Sequence, residues 1–160
     1  MKQVMTASLI EANETDYVYS ITFPALGRGF NNFSPKLTAK IMFQCVADFE
    51  DNLGAEPNIN DVRFIIHPGD DKAVEAFIEE AKQRSKSAVA SMQYSVDLGV
   101  ISLTLLKGSM SKHKCDVVVH ETMENLDLTK SPVSQELCQA AGPGLEKSLR
   151  GSVGSQIGYG

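Results

Sequence analysis

The feature that most restricts the fold is a strand that runs, through a short glycine-bracketed loop, into a well-started helix. Residues 17–23 are dense in β-branched and aromatic side chains and predict a buried strand. From Leu37 onward apolar positions recur every fourth residue, at Ile41, Cys45, Phe49 and Leu53, which is one face of a helix over roughly 35–53. Ser34 is a favourable N-cap residue and Pro35 suits the first helical position, where a missing N–H costs nothing. Between strand and helix lies PALGRGFNNF, residues 24–33. Such a loop sits where open α/β sheets bind anions, on unpaired backbone N–H groups and the positive end of a helix dipole.

The same alternation recurs. DVRFIIH, 61–67, predicts a second buried strand, and Asp70 can cap a helix bearing Val74, Phe77, Ile78 and Ala81. A short helix over 3–13 precedes both strands. Residues 82–99 are polar and weakly periodic and predict a linker over 85–98. Residues 99–108 then place Ile101, Leu103 and Leu105 on one face of a half-buried strand, and CDVVVH, 115–120, is a continuously apolar strand of the parallel kind. Ser131-Pro132 repeats the cap-plus-proline device before a helix carrying Val133, Leu137 and Ala141, which meets Gly142-Pro143. Strands alternating with helices imply βαβ units: an α/β fold with a mostly parallel sheet in three layers.

Charge and cysteine content narrow the chemistry. With 15 basic against 20 acidic residues the net charge is −5, so no basic excess exists for direct nucleic-acid binding. Cys45, Cys115 and Cys138 are odd in number with no paired spacing, which reads as reduced thiols. His67, His113 and His120 show no metal-ligand spacing with them, so no metal site is expected. No apolar run approaches the ~20 residues that cross a bilayer, and the N-terminus lacks a signal-peptide pattern. The expectation is a cytoplasmic or nuclear protein with no membrane partner.

The loop is not a P-loop, lacking G-x-x-x-x-G-K-[ST], and Asn32 stands where a dinucleotide fingerprint needs its third glycine. ITFPALGRGFNNF instead resembles the strand and phosphate loop of the macrodomain, an ADP-ribose-binding module whose pattern runs FPA-[IL]-G-x-G and then an apolar or aromatic residue. Residues 103–149 resemble the opposite end of that family. KGSMS stands at its K-G-D-I-T, DVVVHETM at its D-x-I-V-N-x-x-N, and AAGP at the end of its next helix. The resemblance implies a macrodomain-like α/β/α fold, incomplete or circularly permuted. Residues 1–84 would be the C-terminal half of one macrodomain and 99–160 the N-terminal half of another, as across a junction in tandem-macrodomain members of the poly(ADP-ribose) polymerase family. Four adjacent strands would follow in the order 100–107, 61–67, 17–23 and 116–120. The last is an apolar edge inviting self-association.

The resemblance also implies a ligand, ADP-ribose free or on ADP-ribosylated proteins, with no further cofactor. Ala25, Gly27, Arg28, Gly29, Phe30, Asn31 and Phe33 would line its diphosphate and ribose. Gly27 and Gly29 would permit close backbone approach, the N–H groups from Arg28 to Asn31 would donate, and Phe33 would pack on a ribose or base edge. Arg28 would add a charge-assisted bond or remain a solvated side chain. A second half-site would comprise Ser109, Met110, His120, Pro132 and Val133. Here the chain departs from the family. Ser109 replaces the aspartate that accepts from the adenine amino group, trading a charge-assisted bond for one about half as strong. His120 replaces the asparagine at the distal ribose, HETM replaces N-A-A-N, and LTKSP at 128–132 has no phosphate-loop glycine. Asp116 matches a family residue that helps hold its strand. The implied function is a weak ADP-ribose reader, a module or fragment of a tandem-macrodomain ADP-ribosyltransferase, with no catalytic residue of its own. An ADP-ribosyl hydrolase and a non-binding interaction segment are the alternatives.

Overall fold

The computed structural model describes residues 1–29, 31–54, 57–84, 93–122 and 127–153. In chain order the elements are α1 (Lys2–Glu14), β1 (Ser20–Phe23), α2 (Pro35–Asp51), β2 (Asp61–Ile66), α3 (Asp71–Arg84), β3 (Gln93–Leu98) and β4 (Ile101–Lys107). A 3-10 turn at Met110–Lys112, β5 (Val117–Val118), α4 (Pro132–Ala141) and α5 (Gly144–Val153) follow. These divide into two compact units, Met1–Val119 and His120–Gly160.

The first unit is built on a five-stranded sheet in the order β3-β4-β2-β1-β5. β1 pairs in parallel with β2 and β5, β2 pairs in parallel with β4, and only β3 runs antiparallel, against β4. The fold is α/β, a mixed sheet flanked by helices, consistent with the three-layer macrodomain-like class. The order β4-β2-β1-β5 is the one expected for these four strands.

Strand alternation explains which face carries the core. Ile21 and Phe23 of β1, Val62, Phe64 and Ile66 of β2, and Leu103 and Leu105 of β4 are buried in one cluster with Met42 and Phe43 of α2 and Phe77 of α3. The ring of Phe64 is its hub, 5.2 Å from Phe43 and 5.7 Å from Phe77 in edge-to-face contact. Such pairs add about 0.5–1.5 kcal/mol each beyond area burial. The opposite face is mostly polar: Ser20, Thr22, Asp61, Arg63, Ser102 and Thr104 come into register across β1, β2 and β4. Asp116, just before β5, ties this sheet together. Its Oδ2 accepts from the Tyr19 N–H (3.0 Å), the Ser20 N–H (2.9 Å) and the Ser20 hydroxyl (2.8 Å).

Three local expectations change. The linker predicted over 85–98 is in part a strand, since 93–98 form β3; residues 85–92 lie outside the described residues. Period-two alternation at Tyr94, Val96 and Leu98 is what builds it, with Val96 buried and its neighbours packed on the core. The turn from β3 to β4 uses Gly99 at φ +57, and Glu50 of α2 accepts from the Val100 N–H (3.3 Å). The apolar strand predicted over 115–120 contracts to β5, prolonged by one bond from the Val119 N–H to the Thr22 carbonyl (2.8 Å). Finally α5 forms where Gly142-Pro143 marked an end, with Leu145 and Leu149 half-buried one turn apart.

The helix starts divide. Asp70 Oδ1 accepts from the Ala73 N–H (3.1 Å) and the Ser131 hydroxyl accepts from the Ser134 N–H (3.0 Å), so both caps form as expected. Ser34 occupies the N-cap position of α2, but its side chain makes no capping bond. Among the described residues no helix is long and apolar enough to cross a membrane.

Candidate functional site: the loop between β1 and α2

The loop leaves the sheet at Phe23 and enters α2 at Pro35. Leu26 and Gly27 are buried and anchor it, while Gly29, Asn31 and Asn32 are exposed. Its neck is closed by the Phe33 N–H donating to the Gly27 carbonyl (2.9 Å), and its tip by the Asn32 N–H donating to the Gly29 carbonyl (3.3 Å). Gly27 adopts φ +75, and the Phe33 ring lies across it so closely that no side chain fits. Gly29 differs: it lies outside the left-handed region, and an added Cβ would meet nothing within 4 Å.

Two sets of donors remain in this loop. Among the described residues, the N–H groups of Arg28, Gly29 and Asn31 form no hydrogen bond. Next to them α2 begins without a side-chain cap, its first backbone bond running from the Thr38 N–H to the Ser34 carbonyl (2.9 Å). Unbonded N–H groups and an uncapped helix start are the two components of a backbone anion site. The buried hydroxyls of Thr22 and Thr38, one on each side of the loop, also have no partner among the described residues. Phe33 (39% exposed) and Leu37 (51%) add an apolar surface beside the donors. Ala25 packs against the core. Phe30 lies outside the described residues.

Arg28 is tied into the protein and is not a solvated side chain. Its Nε and Nη2 donate to Asp70 Oδ2 (2.9 Å) and Oδ1 (3.2 Å), and its Nη1 donates to the Phe33 carbonyl. Burial works against ionisation of Asp70, but Arg28 and the Ala73 N–H outweigh it and hold the carboxyl below the usual carboxylate range. The guanidinium is therefore part of the scaffold, not a solvated side chain. The sequence pattern marks Asp70 as a helix cap and not as a partner of Arg28. The signal for it is topological: β1 and β2 are parallel neighbours, so the loops at their C-terminal ends lie side by side, one with an arginine and one with an aspartate.

The second group of candidate residues divides between the two units. Ser109 and Met110 follow β4 at the same C-terminal edge of the sheet; the Ser109 hydroxyl lies 3.1 Å from that of Ser111, and Met110 is buried. His120, Pro132 and Val133 belong to the second unit. There His120 Nε2 lies 2.6 Å from the Ser134 hydroxyl, which donates to the Ser131 hydroxyl (3.0 Å). In that arrangement Nε2 carries the proton and donates, leaving Nδ1 buried and, among the described residues, without a partner. Burial pushes the His120 pKa down, so the ring is held neutral. Among the described residues no group of three or more His, Cys, Asp or Glu side chains is placed to hold a metal ion.

A shallow, open depression of about 660 Å³ lies over the polar face of the sheet, lined by Asn60, Arg63, Ser102, Thr104 and His113 among others. It includes no residue of the β1–α2 loop. Arg63, the guanidinium within it, is engaged by Asp61 and the Lys114 carbonyl, so it offers no free cation to an anion.

No protein-family model matches the chain. It is similar to the human Protein mono-ADP-ribosyltransferase PARP14, at 24% identity over 159 residues, an overlap covering 86% of this chain and 9% of that protein. The chain thus spans a small fraction of the relative's length. The similarity supports a macrodomain relationship, at the level of the poly(ADP-ribose) polymerase family.

Proposed function

We propose that this chain is an ADP-ribose-binding module or fragment from an ADP-ribosyltransferase with tandem macrodomains, and that it reads the ligand without altering it. The observation that carries the reading is the β1–α2 loop, where the unbonded N–H groups of Arg28, Gly29 and Asn31 adjoin an uncapped helix start. A diphosphate needs such donors, and the open space at Gly29 lets it approach the backbone, whereas the space beside Gly27 is taken by the Phe33 ring. The similarity to a mono-ADP-ribosyltransferase agrees with that ligand chemistry. Binding is weak in this reading, because Ser109 offers the adenine a neutral acceptor in place of a carboxylate. Hydrolysis is disfavoured by His120, whose Nε2 is engaged with Ser134 and whose Nδ1 is buried. We propose further that the chain joins the second half of one macrodomain to the first half of another, and that the β5 edge, with Val118 exposed, pairs with a second copy. Isothermal titration with ADP-ribose tests the binding: weak saturable heat supports it, and none at millimolar ligand removes it.

A further inference from the structure

We propose that Asp70 is the positioning residue of the β1–α2 loop, acting through Arg28 to hold the loop's N–H groups ready for an anionic ligand while leaving recognition to neutral backbone donors. This rests on the ADP-ribose reading for its ligand, but not for its geometry.

Three ties converge on residues 27–33. The Phe33 N–H closes the neck on Gly27, Arg28 Nη1 grips the carbonyl of the same Phe33, and the remaining face of the guanidinium forks onto Asp70. Asp70 is itself fixed, because its Oδ1 also caps α3 through the Ala73 N–H. The carboxylate therefore couples a rigid helix to the loop. The side chains of Arg28 and Asp70 are 16% and 29% exposed, partly shielded from the water and salt that weaken surface pairs. A loop ordered beforehand spares a ligand the entropy of ordering it. A guanidinium already neutralised by a carboxylate adds little net positive potential for an incoming diphosphate. Were Arg28 to leave for the ligand, Asp70 would be stranded as a bare, partly buried charge beside an anion.

The experiment uses the full chain with Asp70→Asn, Arg28→Lys, the double variant and Asp70→Glu. Asparagine can still cap α3 but loses the ion pair, and lysine keeps the charge but cannot fork between Asp70 and the Phe33 carbonyl. Amide hydrogen exchange across 27–33 without ligand, and ADP-ribose affinity by titration, are the two readouts. Each of the first two variants is expected to speed loop exchange and weaken binding by about tenfold, equivalent to ~1.4 kcal/mol. The double variant should be no worse than either single, α3 amides and the unfolding midpoint should hold, and Asp70→Glu should recover part of the loss. Unchanged loop exchange, additive losses, or tighter binding by Asp70→Asn would overturn the proposal. If the unaltered chain binds no ADP-ribose, the functional reading fails, while the exchange data still decide whether Asp70 holds the loop.

Discussion

A Cβ placed on Gly27 would lie 2.2 Å from Cδ2 of Phe33, so the ring that closes the β1–α2 loop occupies the space a side chain at position 27 would need. Gly27 also sits at φ +75, whereas Gly29, two residues on, has open space and lies outside the left-handed region. Gly27→Ala is therefore expected to destabilise by more than ~1 kcal/mol and to displace Phe33. Gly29→Ala should stay within ~0.5 kcal/mol of the unaltered protein. Urea unfolding of the two variants checks this, and equal losses would contradict it.

The β3–β4 hairpin, whose first strand falls within the expected linker, depends on a second glycine. Gly99 stands at φ +57, and a Cβ there would come 1.8 Å from Glu50 Oε1, the atom that accepts from Val100. Gly99→Ala must both strain the backbone and push Glu50 off the turn, for an expected loss of ~1–2 kcal/mol. In Glu50→Ala the same glycine change should cost less, because part of the interaction is already gone. Strictly additive losses in thermal unfolding would show that Glu50 does not hold the turn.

Much of this fold is legible in the chain, for identifiable reasons. Strands such as DVRFII and helices such as Pro35–Asp51 carry long, unmixed periodicities, so β1, β2, β4 and α1 to α4 follow from local pattern. β3 is less visible because Tyr94, Val96 and Leu98 alternate with Ser95 and Asp97, a faint signal that only pairing with β4 makes decisive. Of the candidate site, the loop and its glycines are readable, but the Arg28–Asp70 fork is not, since its partners are 42 residues apart. The pairing of His120 with Ser134 is likewise a tertiary fact that no spacing rule announces.

His120 gives the second unit a pH dependence of definite sign. Burial lowers its pKa in the fold below the ordinary 6.5, so the unfolded chain takes up the proton first as pH falls. The stabilising contribution is whole above about pH 6.5 and is lost as pH drops through the folded-state pKa. Once the intrinsic slowing of exchange toward acid is divided out, α4 amides should therefore show an excess loss of protection between about pH 7 and pH 5. His120→Asn should flatten that excess. An excess that persists in the variant would assign it to another group.

The β5 edge supplies a test of association. Val118 is the exposed apolar residue of a two-residue strand, and a charge there blocks strand pairing. Light scattering after size exclusion is expected to find a dimer in the unaltered protein and a monomer in Val118→Lys. A monomer in both would remove the edge from any role in assembly.

The most direct measurement is isothermal titration of ADP-ribose into the unaltered chain and into Gly29→Glu. The variant adds bulk and negative charge where the diphosphate would lie, at a position with nothing within 4 Å for a Cβ to meet, so it is expected to fold normally. Weak, saturable binding by the unaltered chain and none by Gly29→Glu is the predicted result. Undiminished binding by the variant would place the ligand away from this loop, and no binding by the unaltered chain would leave the loop a structural turn.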